Sequence, residues 1–163
     1  PVHRTAVGFK YVGPTMMEVD AIAAGEESGG YAFRGNIPER DGILSGLMFL
    51  DLMVKTGKRP SELVSMLADK VGEHHYSRLD VTLEPGLSMP NIQALADHPP
   101  EHIGGLRVLN TETPDGVLYH LESGFWGLIR PSGTEPLLRI YAEGDSPQRV
   151  QSMLADLRTR SGN

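Results

Sequence analysis

The run Arg130-Pro131-Ser132-Gly133-Thr134-Glu135-Pro136 places a guanidinium, two hydroxyls and a glycine within five successive positions. Arginine offers a planar, permanently charged fork that holds two phosphate oxygens at once. Ser132 and Thr134 add hydroxyl donors, and Gly133 allows the backbone to bring N–H groups close to a ligand with no Cβ in the way. That set suits a phosphate monoester. The alternative is a stiff surface loop, with proline for rigidity and Ser-Gly-Thr for turning. The flanking runs favour something more than a turn. Phe125 to Ile129 and Leu137 to Ala142 read as strands, and a hairpin between them needs only two residues of Asn-Gly type.

A second candidate is Gly25-Glu26-Glu27-Ser28-Gly29-Gly30. It lacks the Gly-Lys-Ser/Thr ending of a nucleotide-phosphate loop and the Gly-x-Gly-x-x-Gly spacing of a dinucleotide site. Glu26 and Glu27 are adjacent, so in an extended segment they point opposite ways and cannot form a facing acid/base pair. One carboxylate beside Ser28 can accept hydrogen bonds from sugar hydroxyls; the bland reading is a flexible loop with solvated acids. Lys10, between Phe9 and Tyr11, is either a solvated strand lysine or a compact cation directed at an anionic substrate.

Other constellations carry less. Six histidines invite a metal site, but Pro99 and Pro100 separate His98 from His102, breaking the helix that would align them. His74 and His75 are neighbours and diverge. No Gly-x-Ser-x-Gly elbow presents a serine nucleophile, and Trp126 reads as packing beside the loop.

The elements around these residues follow from local signals. Residues 4 to 12 read as extended, Pro14 to Asp20 as a short helix starting at the proline, and Ala21 to Ala24 as a strand. Asp41 is an N-cap for a buried apolar helix over Ile43 to Val54, closed by Lys55 and Gly57. Its methionines read as core filler. Pro60 to Val71 forms a second helix with Leu63, Val64, Leu67 and Val71 on one face, ending at Gly72. From Arg78 to Leu83 apolar and polar residues alternate as in a strand. Met89 to Asp97 is a short helix, and Leu106 to Leu109 and Gly116 to Leu121 are strands around a Pro-Asp-Gly turn. The last helix begins at Ser146-Pro147 with Val150, Met153, Leu154 and Leu157 inward. The expected architecture is a truncated helix-rich α/β domain at 1–75, with too few strands for its helices. An α+β domain follows at 76–163, with a mainly antiparallel sheet and helices on one face.

At 163 residues, 39% hydrophobic and 22% charged, the chain has the composition of an ordinary globular protein, with no apolar run of membrane-spanning length. The net charge is −6, and neither half is basic, which argues against nucleic acid as a partner. An anionic ligand must therefore be held by local donors against the overall field. Zero cysteines exclude disulfides and thiolate metal sites and fit a cytoplasmic location. The opening Pro1-Val2-His3-Arg4, without methionine or signal sequence, predicts a piece starting within a longer protein.

Arg-Pro-Ser-Gly-Thr-Glu-Pro followed by Leu-Leu-Arg-Ile-Tyr-Ala-Glu resembles the phosphate-binding loop in the last domain of the α-D-phosphohexomutases, the phosphoglucomutase and phosphomannomutase enzymes. Gly25 to Gly30 resembles their sugar-recognition loop, and Gly8-Phe9-Lys10-Tyr11 a segment preceding it. The resemblance implies the later part of a third domain and all of a fourth. It implies that Arg130, Ser132, Gly133 and Thr134 grip the phosphate that is not transferred, that Glu26 and Ser28 bond sugar hydroxyls, and that Lys10 reaches the substrate. It also implies hexose 1-phosphate and 6-phosphate as substrates, interconverted through a phosphoserine enzyme and a bisphosphorylated intermediate. The phosphoserine and an aspartate-rich magnesium loop belong to upstream domains. Neither has a counterpart here, so this chain alone is expected to be inactive and to hold no metal. Where some members carry histidine, this sequence has Gly30. Glu-Glu-Ser resembles the glucose/mannose branch; the glucosamine branch, a binding module without chemistry, and a plain interaction domain are the alternatives. Which side of its strand Arg139 occupies stays open.

Overall fold

A computed structural model of the protein describes residues 1–83, 89–113, 115–132 and 136–162. The fold is mixed α/β, in two compact units, Pro1–Lys70 and Val71–Asn163.

In the first unit, helix α1 spans Phe9–Glu18, where the sequence predicts an extended segment and a helix starting only at Pro14. Burial explains the difference. Phe9, Gly13 and Met16 are buried, spaced as one helical face, and Phe9 and Met16 form a small core with Ala32. Pro14 lies inside the helix, where it removes one backbone donor. Gly13 faces the carbonyl of Pro38, which would lie 2.6 Å from an added Cβ, so only glycine lets that helix surface approach the chain beyond. Strands β1 (Ala23–Gly25) and β2 (Tyr31–Phe33) form an antiparallel pair, Ala24 opposite Ala32.

Helix α2 spans Gly42–Thr56, and its ends follow the expected chemistry. The Asp41 carboxylate accepts the Leu44 N–H at 2.8 Å, and Gly57 closes the helix in the left-handed conformation at φ 66°. Its burial does not follow the prediction: the helix has no buried residue. Ile43, Leu47, Met48, Phe49, Leu50, Leu52 and Val54 are 41–82% exposed, so Met48 is not core filler. No described element covers this apolar surface. Helix α3, Pro60–Val71, buries Leu63 but leaves Val64, Leu67 and Val71 exposed, again short of the expected four-residue face.

The second unit is built on a six-stranded antiparallel sheet in the order β3-β8-β7-β6-β5-β4. Its strands are β3 (His75–Thr82), β4 (His102–Ile103), β5 (Leu106–Glu112), β6 (Val117–Leu121), β7 (Trp126–Pro131) and β8 (Leu137–Gly144). Helices α4 (Ile92–Asp97) and α5 (Pro147–Arg160) contribute to the core on one face. There Val150, Met153, Leu154 and Leu157 of α5 pack with Val117, Tyr119, Leu121, Ile129, Leu138 and Ile140. These are the α5 residues expected to point inward. The Ser146 hydroxyl caps α5 by accepting the Arg149 N–H, with proline at the start of the helix. The Tyr119 hydroxyl donates to the Leu95 carbonyl at 3.1 Å, tying α4 to the sheet centre. Strand β3 begins three residues before the expected Arg78, and the short β4 was not foreseen. Two residues are too few to show a period.

Candidate functional site

Arg130 and Arg139 are carried on the two strands that lead into and out of the phosphate-loop motif. β7 and β8 pair in register with Arg130 opposite Arg139 and Ile129 opposite Ile140. Successive strand residues alternate between faces. Ile129 and Ile140 are fully buried in the core, so both arginines leave the opposite face of the sheet. The side of Arg139, ambiguous in the sequence, is thereby settled: it shares a face with Arg130. Asp80 of β3 is the register partner of Arg139 on its other flank and pairs with Arg78 at 3.0 Å.

The loop is drawn closed at its base. The Ser132 N–H donates to the Leu137 carbonyl at 2.7 Å, and the Leu83 N–H to the Pro136 carbonyl at 3.0 Å. The backbone donor of Ser132 is thus used within the strand pair. Gly133 and Thr134 lie outside the described residues. Arg130 is held from the β5–β6 turn: its Nε lies 2.7 Å from Oδ2 of Asp115, with the arginine side chain 17% exposed. The Nε–H does not point along that line in hydrogen-bond geometry, so the contact is a close ion pair. Sequence reading took Asp115 only as a turn residue.

In the first unit the β1–β2 connection forms a tight loop. The Glu26 N–H donates to the Gly30 carbonyl at 2.9 Å, and the Gly29 N–H to the Glu26 carbonyl at 3.0 Å. Gly29 takes φ 95°, which a residue with a Cβ rarely adopts. The two glutamates differ as their adjacency requires. The Glu26 side chain is 14% exposed and 3.7 Å from Arg40 Nη1, while Glu27 and Ser28 are exposed. Arg40 was missed by the sequence reading. Its guanidinium lies 5.5 Å from the centre of the Phe9 ring, a cation–π distance. Its aliphatic stem fills the space beside Gly30, where an added Cβ would meet Arg40 Cδ at 2.5 Å. The missing side chain at position 30 is therefore matched by an arginine from ten residues on. Lys10, expected on a strand, is an exposed residue of α1, its Nζ 4.8 Å from the Tyr11 ring centre.

Among the described residues no group of three or more histidine, aspartate or glutamate side chains is arranged to hold a metal ion. No helix among them is long and apolar enough to cross a membrane.

A pair of arginines at the base of the loop, on an antiparallel sheet backed by helices, makes the second unit an α+β domain with a candidate anion site. The comparisons with known proteins agree with the motifs. Residues 1–71 match the model for phosphoglucomutase/phosphomannomutase, alpha/beta/alpha domain III, and residues 88–160 that for the C-terminal domain of the same family. The chain belongs to the phosphoglucomutase/phosphomannomutase family. It is 28% identical to a phosphoglucomutase/phosphomannomutase of Thermococcus kodakarensis, over 94% of this chain and 31% of that protein. It is 32% identical to a phosphoglucosamine mutase of Jannaschia sp., over 96% of this chain and 31% of that one. A crystal structure of a Thermus thermophilus protein assigned as a phosphomannomutase superposes with a TM-score of 0.73 at 32% identity, over 96% of this chain and 30% of that one. The chain thus spans about a third of the length of the curated relatives it matches.

Proposed function

We propose that this chain is the substrate-binding C-terminal part of a phosphohexomutase interconverting hexose 1-phosphate and hexose 6-phosphate, with glucose, mannose or both as the sugar. The observation that carries this reading is the Arg130-to-Pro136 motif set on two neighbouring strands whose register places Arg139 beside Arg130. In this reading Arg130 and the hydroxyls of Ser132 and Thr134 anchor the phosphate that is not being transferred, with Gly133 allowing close backbone approach. Glu26 and Ser28 accept and donate hydrogen bonds to sugar hydroxyls, and Lys10 adds a cation. Fixed donors of this kind supply positioning and charge stabilisation, which is most of what phosphoryl transfer asks of a protein.

The phosphoserine that donates phosphate and the magnesium loop are assigned to other domains of the longer, cytoplasmic enzyme, so the 163-residue chain by itself does not turn over. Phosphoglucosamine mutases among the relatives at about this identity favour a second reading, in which the sugar is glucosamine. Titrating the chain into glucose 1-phosphate, mannose 1-phosphate and glucosamine 1-phosphate, followed by phosphorus NMR, tests both. Line broadening reversed by excess sugar phosphate supports the site, and its rank order chooses the sugar. Sharp, unshifted signals with all three at millimolar concentration would reject it.

A further inference from the structure

We propose that Asp115 is a positioning residue for the phosphate site, holding the Nε edge of the Arg130 guanidinium so that its two terminal NH2 groups face the ligand. The proposal deepens the phosphate-binding reading above and rests on it. Three observations converge on the contact. Asp115 Oδ2 lies 2.7 Å from Arg130 Nε, with the Arg130 side chain sheltered at 17% exposure and that of Asp115 38% exposed. The turn that carries Asp115 is seated directly on the Arg130 backbone: a Cβ at Gly116 would lie 2.4 Å from the Ile129 carbonyl and 2.9 Å from Arg130 Cα. Gly116 also takes φ 106°. Both the space and the conformation demand glycine there, which fixes where its neighbour's carboxylate can sit. Finally, Arg139 stands opposite Arg130 in the sheet, and like charges directly across two strands repel. A carboxylate on the far side of Arg130 offsets that repulsion while no anion is bound.

Guanidinium offers five N–H donors in a fixed fork, one at Nε and two on each terminal nitrogen. An anion can approach along the Nε side or end-on. Asp115 Oδ2 lies beside Nε off the line of its N–H, so its negative charge disfavours an anion on that side and leaves the terminal NH2 groups as the approach. This rotational locking has a cost that makes it testable. A carboxylate close to a phosphate repels it, so a purely electrostatic Asp115 would weaken binding, and removing its charge would tighten it. A positioning Asp115 predicts the opposite sign.

The experiment titrates glucose 1-phosphate into the unaltered chain and into the Asp115→Asn, Asp115→Ala and Arg130→Ala variants, with thermal unfolding to confirm that each is folded. Asp115→Asn is expected to weaken binding by about tenfold, in line with the loss of partners that orient other binding groups. Unchanged or tighter binding in Asp115→Asn, with Arg130→Ala still losing affinity, overturns the positioning role and leaves the phosphate site intact. No binding by the unaltered chain, or equal binding by Arg130→Ala, overturns both. A second readout needs no variant: in nitrogen-15 NMR glucose 1-phosphate should shift the terminal nitrogens of Arg130 more than Nε. A shift that is largest at Nε contradicts the proposal.

Discussion

Arg130 and Arg139 face one another across β7 and β8 as register partners, on the face of the sheet that α5 does not cover. Both guanidiniums leave the same face, so an anion lying between or beside them is attracted by two positive charges. Phosphate should therefore stabilise the second unit by mass action. Thermal unfolding of the chain in rising inorganic phosphate should show a climbing midpoint at constant ionic strength, and Arg139→Gln should reduce the climb. Equal climbs in the two proteins would separate Arg139 from the site.

Gly116 couples the β5–β6 turn to the strand bearing Arg130. Replacing it with alanine forces a Cβ to 2.4 Å from the Ile129 carbonyl in a conformation unfavourable to any side chain. Strain of this kind costs on the order of 1–3 kcal/mol. Urea unfolding of Gly116→Ala should show a loss of about that size, whereas Gly124→Ala, which has a positive φ but nothing within 4 Å of the added Cβ, should lose less.

The His74 Nδ1 lies 2.7 Å from Glu143 Oε1, and that hydrogen bond, with the carboxylate's charge, raises the imidazole above its ordinary value of 6.5. A raised folded value means the protonated form is favoured by folding. The stabilisation is then fully present below about pH 6.5 and is lost as pH rises through the folded value. Unfolding midpoints of the unaltered chain and Glu143→Gln should differ most just below about pH 6.5, where the imidazole is protonated and its partner still charged, and converge as pH rises through the folded value. A difference that stays constant with pH would show that the pair does not titrate.

The uncovered apolar surface of α2 has a consequence in solution. Contiguous exposed hydrophobic groups promote association, so the 163-residue chain should self-associate as its concentration rises. Charging two of the exposed positions, Leu47→Lys with Leu50→Lys, should shift it towards monomer in analytical ultracentrifugation without loss of helical signal. A chain that is monomeric at all concentrations before substitution would contradict this.

What the sequence makes legible here is what local chemistry decides. The cap at Asp41, the left-handed Gly57 and the Ser146-Pro147 start of α5 each depend on a few adjacent residues, and each is found where those residues place it. The inward face of α5 follows from its period. Helix α1 was hidden because Pro14 imitates a helix start; the apolar spacing of Phe9, Val12 and Met16 held the better signal. The exposure of α2 could not be read, since an apolar helix looks the same whether or not something covers it. At the candidate site, the loop residues were visible as a motif, while Asp115, Arg40 and the face of Arg139 depend on strand register and turn placement, which join residues distant in sequence.

The central claim is that Arg130 anchors a sugar phosphate, and calorimetric titration with glucose 1-phosphate tests it most directly, with unphosphorylated glucose as the control. The account predicts binding of the phosphate ester and none of glucose, with Arg130→Ala weakening it by about 1.5–3 kcal/mol, as for a charge-assisted contact. Binding that is the same in the unaltered chain and in Arg130→Ala would contradict it.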